Sequence, residues 1–270
     1  DEDVFNELWQ TGWRTARLCA WETYMDCPYY EQLQYIGDTR IQAMIAAYNT
    51  NDKRLTQKAI RQFAQSMQQK PLTLAAYPSQ GKSIIPPFSL FWIGMLHDYW
   101  MNYPDDEFIE PYLEKAGEII EWHANYLQNE PYLLGKLPYW QFVDWPPAWA
   151  WDPEKGTGGV PDAALEGVSS VINLQFAYVL GLAYDLFDHF DKKEAVDYVA
   201  MQSAIVDDVF NVFWDHEKGL IADDPQQVSF SQHANIMGIL AGMFPDTTAQ
   251  KVIQKIISDE DIIPATTYYS

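Results

Sequence analysis

The sequence predicts an all-α domain in which helical hairpins stack side by side into an α/α toroid. Three observations carry that prediction. Apolar residues recur at helical spacing along nearly the whole chain, long and short connections alternate strictly, and convincing strand alternation is absent. With 270 residues, 48% of them apolar, one large core can be buried.

Val4, Phe5, Leu8, Trp9, Trp13, Ala16 and Cys19 recur at three and four and predict a first helix over 3–21. Ile41, Met44, Ile45 and Tyr48 give a second over 39–49. Leu55, Ala59, Ile60, Phe63 and Met67 give a third, with Asp52 as its N-cap. Pro87 opens a fourth, apolar through Tyr99, at a first-turn position that tolerates proline. Residues 105–128 carry acids in the first turn and one apolar stripe behind them, predicting a fifth. The sixth, over 163–188, is apolar nearly all round and therefore buried. Asp191 and Glu194 read as a capping box for a seventh reaching about 213. An eighth over 232–243 and a ninth over 247–257, capped by Asp246, complete the set. Ile84-Ile85 and Phe142-Val143 could pair locally as short strands.

The connections are long at 22–38, 70–86, 129–162, 214–230 and again from 258, and short near 50, 103, 189 and 244. Short connections force antiparallel neighbours, so strict alternation sends every long loop to the same end. Loops beyond about 12–15 residues are uncommon unless functional. The sequence thus predicts one binding face, built from loops.

Charge narrows the partners. Net charge is −21, from 17 Lys and Arg against 38 Asp and Glu, which opposes binding to phosphate backbones and to anionic lipid. Neither nucleic acid nor a membrane is an expected partner. The 11 Trp and 17 Tyr outnumber the 13 Phe, and they join a flat apolar face to a polar handle. Such rings suit sugars, although a Trp-rich core would use the same composition. Cys19 and Cys27 lack zinc-ligand spacing and form no disulfide framework. The chain opens Asp-Glu-Asp without a signal-like segment, which leaves the compartment open.

The first long loop interleaves Asp26, Glu31 and Asp38 with Tyr29, Tyr30 and Tyr35. Massed carboxylates beside aromatic rings should keep at least one acid protonated near neutrality, which is how a general acid is prepared. The plain alternative makes Asp38 the N-cap of the second helix and leaves two solvated acids. The third long loop holds Trp140, Asp144, Trp145, Trp149 and Trp151. Four tryptophans in one loop suggest stacking platforms for a ring-shaped ligand, or a hydrophobic lid on the bundle. The fourth offers Trp214, Asp215, His216, Asp223 and Asp224, and ends at Ser231-Gln232-His233.

Other motifs fail on inspection. Gln80-Gly81-Lys82-Ser83 lacks the first glycine of a phosphate loop, because position 76 is Ala. Asp105-Asp106 lacks a third acid at Ile109. The five histidines are scattered, so no metal site and no cofactor are expected. No serine nucleophile elbow is present. Carboxylates and aromatics on one face of a helical toroid remain, and they favour glycoside chemistry.

Asp26-Cys27-Pro28, Glu31 and Gly37-Asp38 together resemble the acidic motif of the family 78 glycoside hydrolases, the bacterial α-L-rhamnosidases. Asp144-Trp145 and the Phe230–Asn235 run resemble later segments of the same catalytic domain. The resemblance implies an (α/α)6 barrel and inverting hydrolysis of terminal α-L-rhamnosyl groups. Glu31 matches the general acid, and Asp26 and Asp38 match acids that hold sugar hydroxyls. The resemblance also places Tyr35, Asp144, Trp145 and His233 in the substrate site, and the aromatic loop adds Trp140 as a stacking platform. Two positions depart from the family: Tyr35 stands where tryptophan is usual, and Tyr30 where arginine is common.

The implied partner is a terminal L-rhamnose or similar deoxy-sugar, with β domains elsewhere in the full-length protein and a periplasmic or secreted location. Two alternatives stay open: a six-hairpin glycosidase for another sugar, and a catalytically inactive carbohydrate-binding helical domain. Residues 1–270 read as a single helical catalytic domain truncated before its last hairpins, since nine helices fall short of twelve. Neither Glu166 nor Glu217 lies in a motif matching the family's general base, which is therefore expected beyond residue 270.

Overall fold

The computed structural model describes residues 2–68 and 70–269. In chain order the helices are α1 (Glu2–Leu18), α2 (Ile36–Asn49), α3 (Arg54–Ser66), α4 (Pro86–Asn102), α5 (Asp106–Ile109) and α6 (Leu113–Ala124). They continue with α7 (Asp162–Glu166), α8 (Ser170–His189), α9 (Ala195–Phe213), α10 (Gln232–Leu240) and α11 (Asp246–Ser258). The chain is mostly helical and its helices pack as neighbouring hairpins, as the alternating connections predict.

Four helices form the inner layer, where α2 packs against α4, α4 against α8, and α8 against α10. Sequence explains the order. α4 and α8 are apolar on nearly every side, and such a helix must be covered all round. In α4, Leu90, Trp92, Ile93 and Leu96 are all at or below 1% exposure. The Trp92 indole donates to the Ile60 carbonyl at 3.2 Å, which ties α4 to α3. Among the described residues α8 alone is long and apolar enough to cross a membrane, and 72% of that stretch is buried in this core.

A charged group crosses the inner layer. Arg40 of α2 donates through Nε to Asp98 of α4 at 2.7 Å and through Nη2 to the Tyr178 hydroxyl of α8 at 3.1 Å. Its guanidinium lies 5.7 Å from the ring centres of both Phe91 and Tyr178. Gly94 makes room for it, since a Cβ at that position would stand 2.6 Å from the Arg40 Cζ.

The structure corrects several helix limits. The fifth helix is broken because Pro111 has no N–H to donate, so a 3-10 turn over Glu110–Tyr112 separates α5 from α6. The sixth is divided at Gly167, whose φ of 153° ends α7 before α8 begins. The first helix stops at Leu18, and residues 20–24 fold into a turn bridged between Ala20 and Tyr24. The capping box does not form: α9 begins after Glu194 without a side-chain cap, and Asp191 takes a left-handed φ of 52°. Nor does Asp246 cap α11, which begins at that residue. The formed cap is on α10, where the Ser231 hydroxyl accepts the Ala234 N–H at 3.2 Å. A short hairpin, β1 (Trp214–Asp215) with β2 (Leu220–Ile221), sits in the fourth long loop, which the sequence pattern did not reveal.

Candidate active site

The long loops meet at one end. The first joins the second through a bridge between Tyr35 and Ala76, with the Ile36 N–H donating to the Ala75 carbonyl at 3.1 Å. The second leads into α4, where Phe88 meets Phe142 of the third loop edge-on at 5.6 Å. The third reaches α10 at the end of the fourth through Asp144 and His233, 2.7 Å apart.

Backbone chemistry shapes the acidic loop. Asp26 and Leu33 close it reciprocally: the Asp26 N–H donates to the Leu33 carbonyl at 2.9 Å, and the Leu33 N–H to Asp26 Oδ1 at 2.8 Å. Between them the Glu31 N–H donates to the Cys27 sulfur at 3.2 Å, and Gln32 takes a φ of 53°. This closed loop leaves Tyr29, Tyr30 and Glu31 exposed. α2 starts directly after it, and Gly37 is obligatory there, because a Cβ would lie 2.8 Å from the Phe88 ring.

Asp38 lies in the first turn of α2, whose N-cap is Tyr35, so the plain reading of Asp38 as the cap does not hold. Burial pushes the Asp38 carboxyl up to about 6; the charges of Asp26 and Glu31 add to this, while a backbone hydrogen bond opposes it. Tyr35 is pushed up to about 12, first by burial and then by its hydrogen bond to Glu31 and the surrounding acids. Asp26 and Glu31 thus lie close enough to raise both Asp38 and Tyr35.

The third loop builds the aromatic part. Trp145 is 48% exposed and lies 5.3 Å from the Phe142 ring and 6.1 Å from Trp140. The Trp140 indole donates to the Gly158 carbonyl at 2.9 Å. Gly159, at a φ of 69°, lets the loop fold onto Phe142, where a Cβ would meet the ring at 2.5 Å. Both readings of the four tryptophans apply: Trp145 and Trp151 are exposed, Trp140 is half-buried, and Trp149 is core.

Asp144 and His233 are brought together, but behind this platform. Both are fully buried, at 0% exposure, so as placed they offer no surface to a sugar, contrary to the expected substrate contact. The Asp144 carboxylate accepts from His233 Nε2 at 2.7 Å, the Trp145 N–H at 2.8 Å, the Thr266 N–H at 2.8 Å and the Thr266 hydroxyl at 2.5 Å. Burial pushes this carboxyl up, yet the hydrogen bonds together hold it below the ordinary carboxylate range. Thr266 was not legible as a site residue, since nothing in its spacing ties it to a loop 122 positions earlier. Nearby, Asp223 accepts from the Ser231 hydroxyl at 2.6 Å, and burial pushes its carboxyl up to about 6. Among the described residues, no group of three His, Cys, Asp or Glu side chains is placed to hold a metal ion.

Acids and exposed aromatic rings gathered at the loop end of a helical-hairpin domain are the parts that a glycosidase-type site needs. The model of the bacterial alpha-L-rhamnosidase 6 hairpin glycosidase domain matches residues 1–262, and the chain belongs to that family. A GH78 family rhamnosidase of Bacillus sp. GL1 superposes with a TM-score of 0.81 at 22% identity, over 93% of this chain and 26% of its own. A rhamnosidase from Klebsiella oxytoca, with rhamnose bound, gives 0.77 at 16% identity, over 93% of this chain and 47% of its own. A metal-independent alpha mannosidase structure from Streptococcus pneumoniae gives 0.54 at 12%, over 84% and 65%. These are likenesses of fold, and the chain spans less than half the length of either rhamnosidase. No curated protein matches the sequence.

Proposed function

We propose that this domain supplies the acid side of an inverting glycoside hydrolase that removes terminal α-L-rhamnosyl groups. The observation that carries the reading is the mouth cluster of an exposed Glu31 between Asp26 and Asp38, set across Phe88 and Phe142 from Trp145. Glu31 donates its proton to the glycosidic oxygen as the bond to the anomeric carbon breaks, so the leaving group departs as an alcohol. Asp26, Asp38 and Tyr35 hold the sugar hydroxyls. Trp145 and Trp140 stack on its apolar face. Asp144 and His233 act as positioning residues for that platform. Inversion needs a second carboxylate about 6.5–9.5 Å from the first to activate water on the opposite face. We assign that role to no residue of this chain.

The test uses the full-length protein that carries these residues. Turnover of an alkyl α-L-rhamnoside should be lost in Glu31→Gln while rhamnose still binds, and proton NMR should show the β anomer forming first. Wild-type turnover by the variant would place the acid elsewhere. Tyr30 and Tyr35 favour one second reading, the same chemistry on a different sugar. A panel of aryl glycosides turned over faster than the rhamnoside would establish it.

A further inference from the structure

Away from the mouth, α6 and α9 face one another across an open groove of about 810 Å³. Its walls are acidic, with Glu114, Glu118 and Glu121 on the α6 side and Glu194 and Asp197 at the start of α9. The one cation lining it, Lys192, is already paired with Glu110 at 3.0 Å. Glu114 and Glu118 stand four residues apart on one helix, and like charges at that spacing destabilise it. Among the described residues, no counter-charge lines the groove beyond Lys192.

The floor is apolar, formed by Leu113 and Ile120 with Phe187 of α8, and it holds one polar group. Tyr198 is only 7% exposed, with its ring edge-on to Phe187 at 4.9 Å. Its hydroxyl points into the groove beside Gly117, where a Cβ would stand 3.5 Å from it. Among the described residues it makes no hydrogen bond. Burial and the charges of Glu194, Asp197 and Glu121 raise the phenol, so it keeps its proton and offers a donor to whatever fills the groove.

These features select an occupant. Among the described residues the carboxylates do not gather closely enough to hold a metal ion. A net charge of −21 repels a second copy of the chain, and nucleic acid or anionic lipid equally. A simple polyamine would match the walls but has no acceptor for the phenol. A polypeptide has all three elements: cationic side chains for the walls, apolar side chains for the floor, and backbone carbonyls for Tyr198. We propose that the groove between α6 and α9 is a docking site for a basic, amphipathic polypeptide segment carrying Lys or Arg on both flanks.

The test is binding, independent of turnover. A labelled short peptide of Leu and Lys at helical amphipathic spacing is titrated with the chain by fluorescence anisotropy, beside the same peptide with Glu for Lys. The Lys peptide should bind, and more weakly as salt rises. Glu114→Gln, Glu118→Gln and Glu121→Gln combined should weaken it about tenfold. Asp259→Asn, Glu260→Gln and Asp261→Asn combined remove as many charges from the exposed turn after α11, and should change it less than about twofold. Tyr198→Phe should weaken it about threefold. Equal losses from the two triple variants would mean attraction to net charge alone and would overturn the proposal, as would absence of binding by the Lys peptide.

Discussion

Asp38 and Asp144 are both carboxylates drawn out of water at the same end of the helices, and they respond in opposite ways. Asp38, at the head of α2, has two other acids for neighbours and a carboxyl pushed up to about 6. Asp144, behind the tryptophan platform, has no exposed surface and is held below the ordinary range, because four hydrogen bonds converge on it. Burial alone therefore does not decide the charge state of an acid here. The number of donors aimed at it does. The acid short of donors lies in the open mouth, and the well-supplied one holds the scaffold.

Substitutions sharpen or break this contrast. The largest effect is expected at Glu31, which is exposed and whose N–H, not its carboxylate, makes the loop contact to Cys27. Glu31→Gln should cut turnover of a poor leaving group by about 10²–10⁴-fold in the full-length protein. Its thermal midpoint should stay where it is; a large drop there would make Glu31 part of the scaffold.

Asp144→Asn should do the reverse, costing about 1–3 kcal/mol of stability, because the amide keeps one acceptor oxygen and turns a donor toward buried N–H and O–H groups that the carboxylate now accepts. Urea unfolding measures it, and a loss near zero would remove Asp144 from the scaffold. Asp38→Asn should stabilise. The folded carboxyl titrates near 6 and its ordinary value is 3.8, so the ionised form costs stability above about pH 6. That cost is lost as pH falls through 6 toward 4. The variant should thus gain about 2–3 kcal/mol at about pH 8 and nothing near pH 4. An equal gain at both would mean that charge is not the cause. The smallest effect is at the α10 cap, where Ser231→Ala takes the acceptor from the Ala234 N–H and a donor from Asp223. A loss of about 1–2 kcal/mol in the same unfolding assay is expected.

Much of the fold was legible because helix periodicity and connection length are local properties. The nearly uninterrupted apolar run of α8 and the long loop carrying Trp145 could be read directly. What failed was also physical. Pro111 and Gly167 each cut a continuous apolar pattern, and periodicity does not register a missing N–H or a φ of 153°. The acids of the first loop could be grouped because they lie within thirteen residues of sequence. The partners of Asp144 come from α10 and from Thr266, and such pairings are made only by the folded chain. A motif can therefore mark Asp144 and His233 as important without telling whether they touch a ligand or support the residues that do.

Gly94 and Arg40 impose an order on change. A methyl group at 94 would occupy the space of the guanidinium that joins three inner helices, so Gly94→Ala is blocked while Arg40 remains. Shortening Arg40 first leaves Asp98 without its cation, and only then does position 94 open. A lineage wishing to replace this charged crossing with a plain apolar contact must pass through an intermediate worse than either end. The two positions are thus energetically coupled, and the stability effects of substituting them should not add.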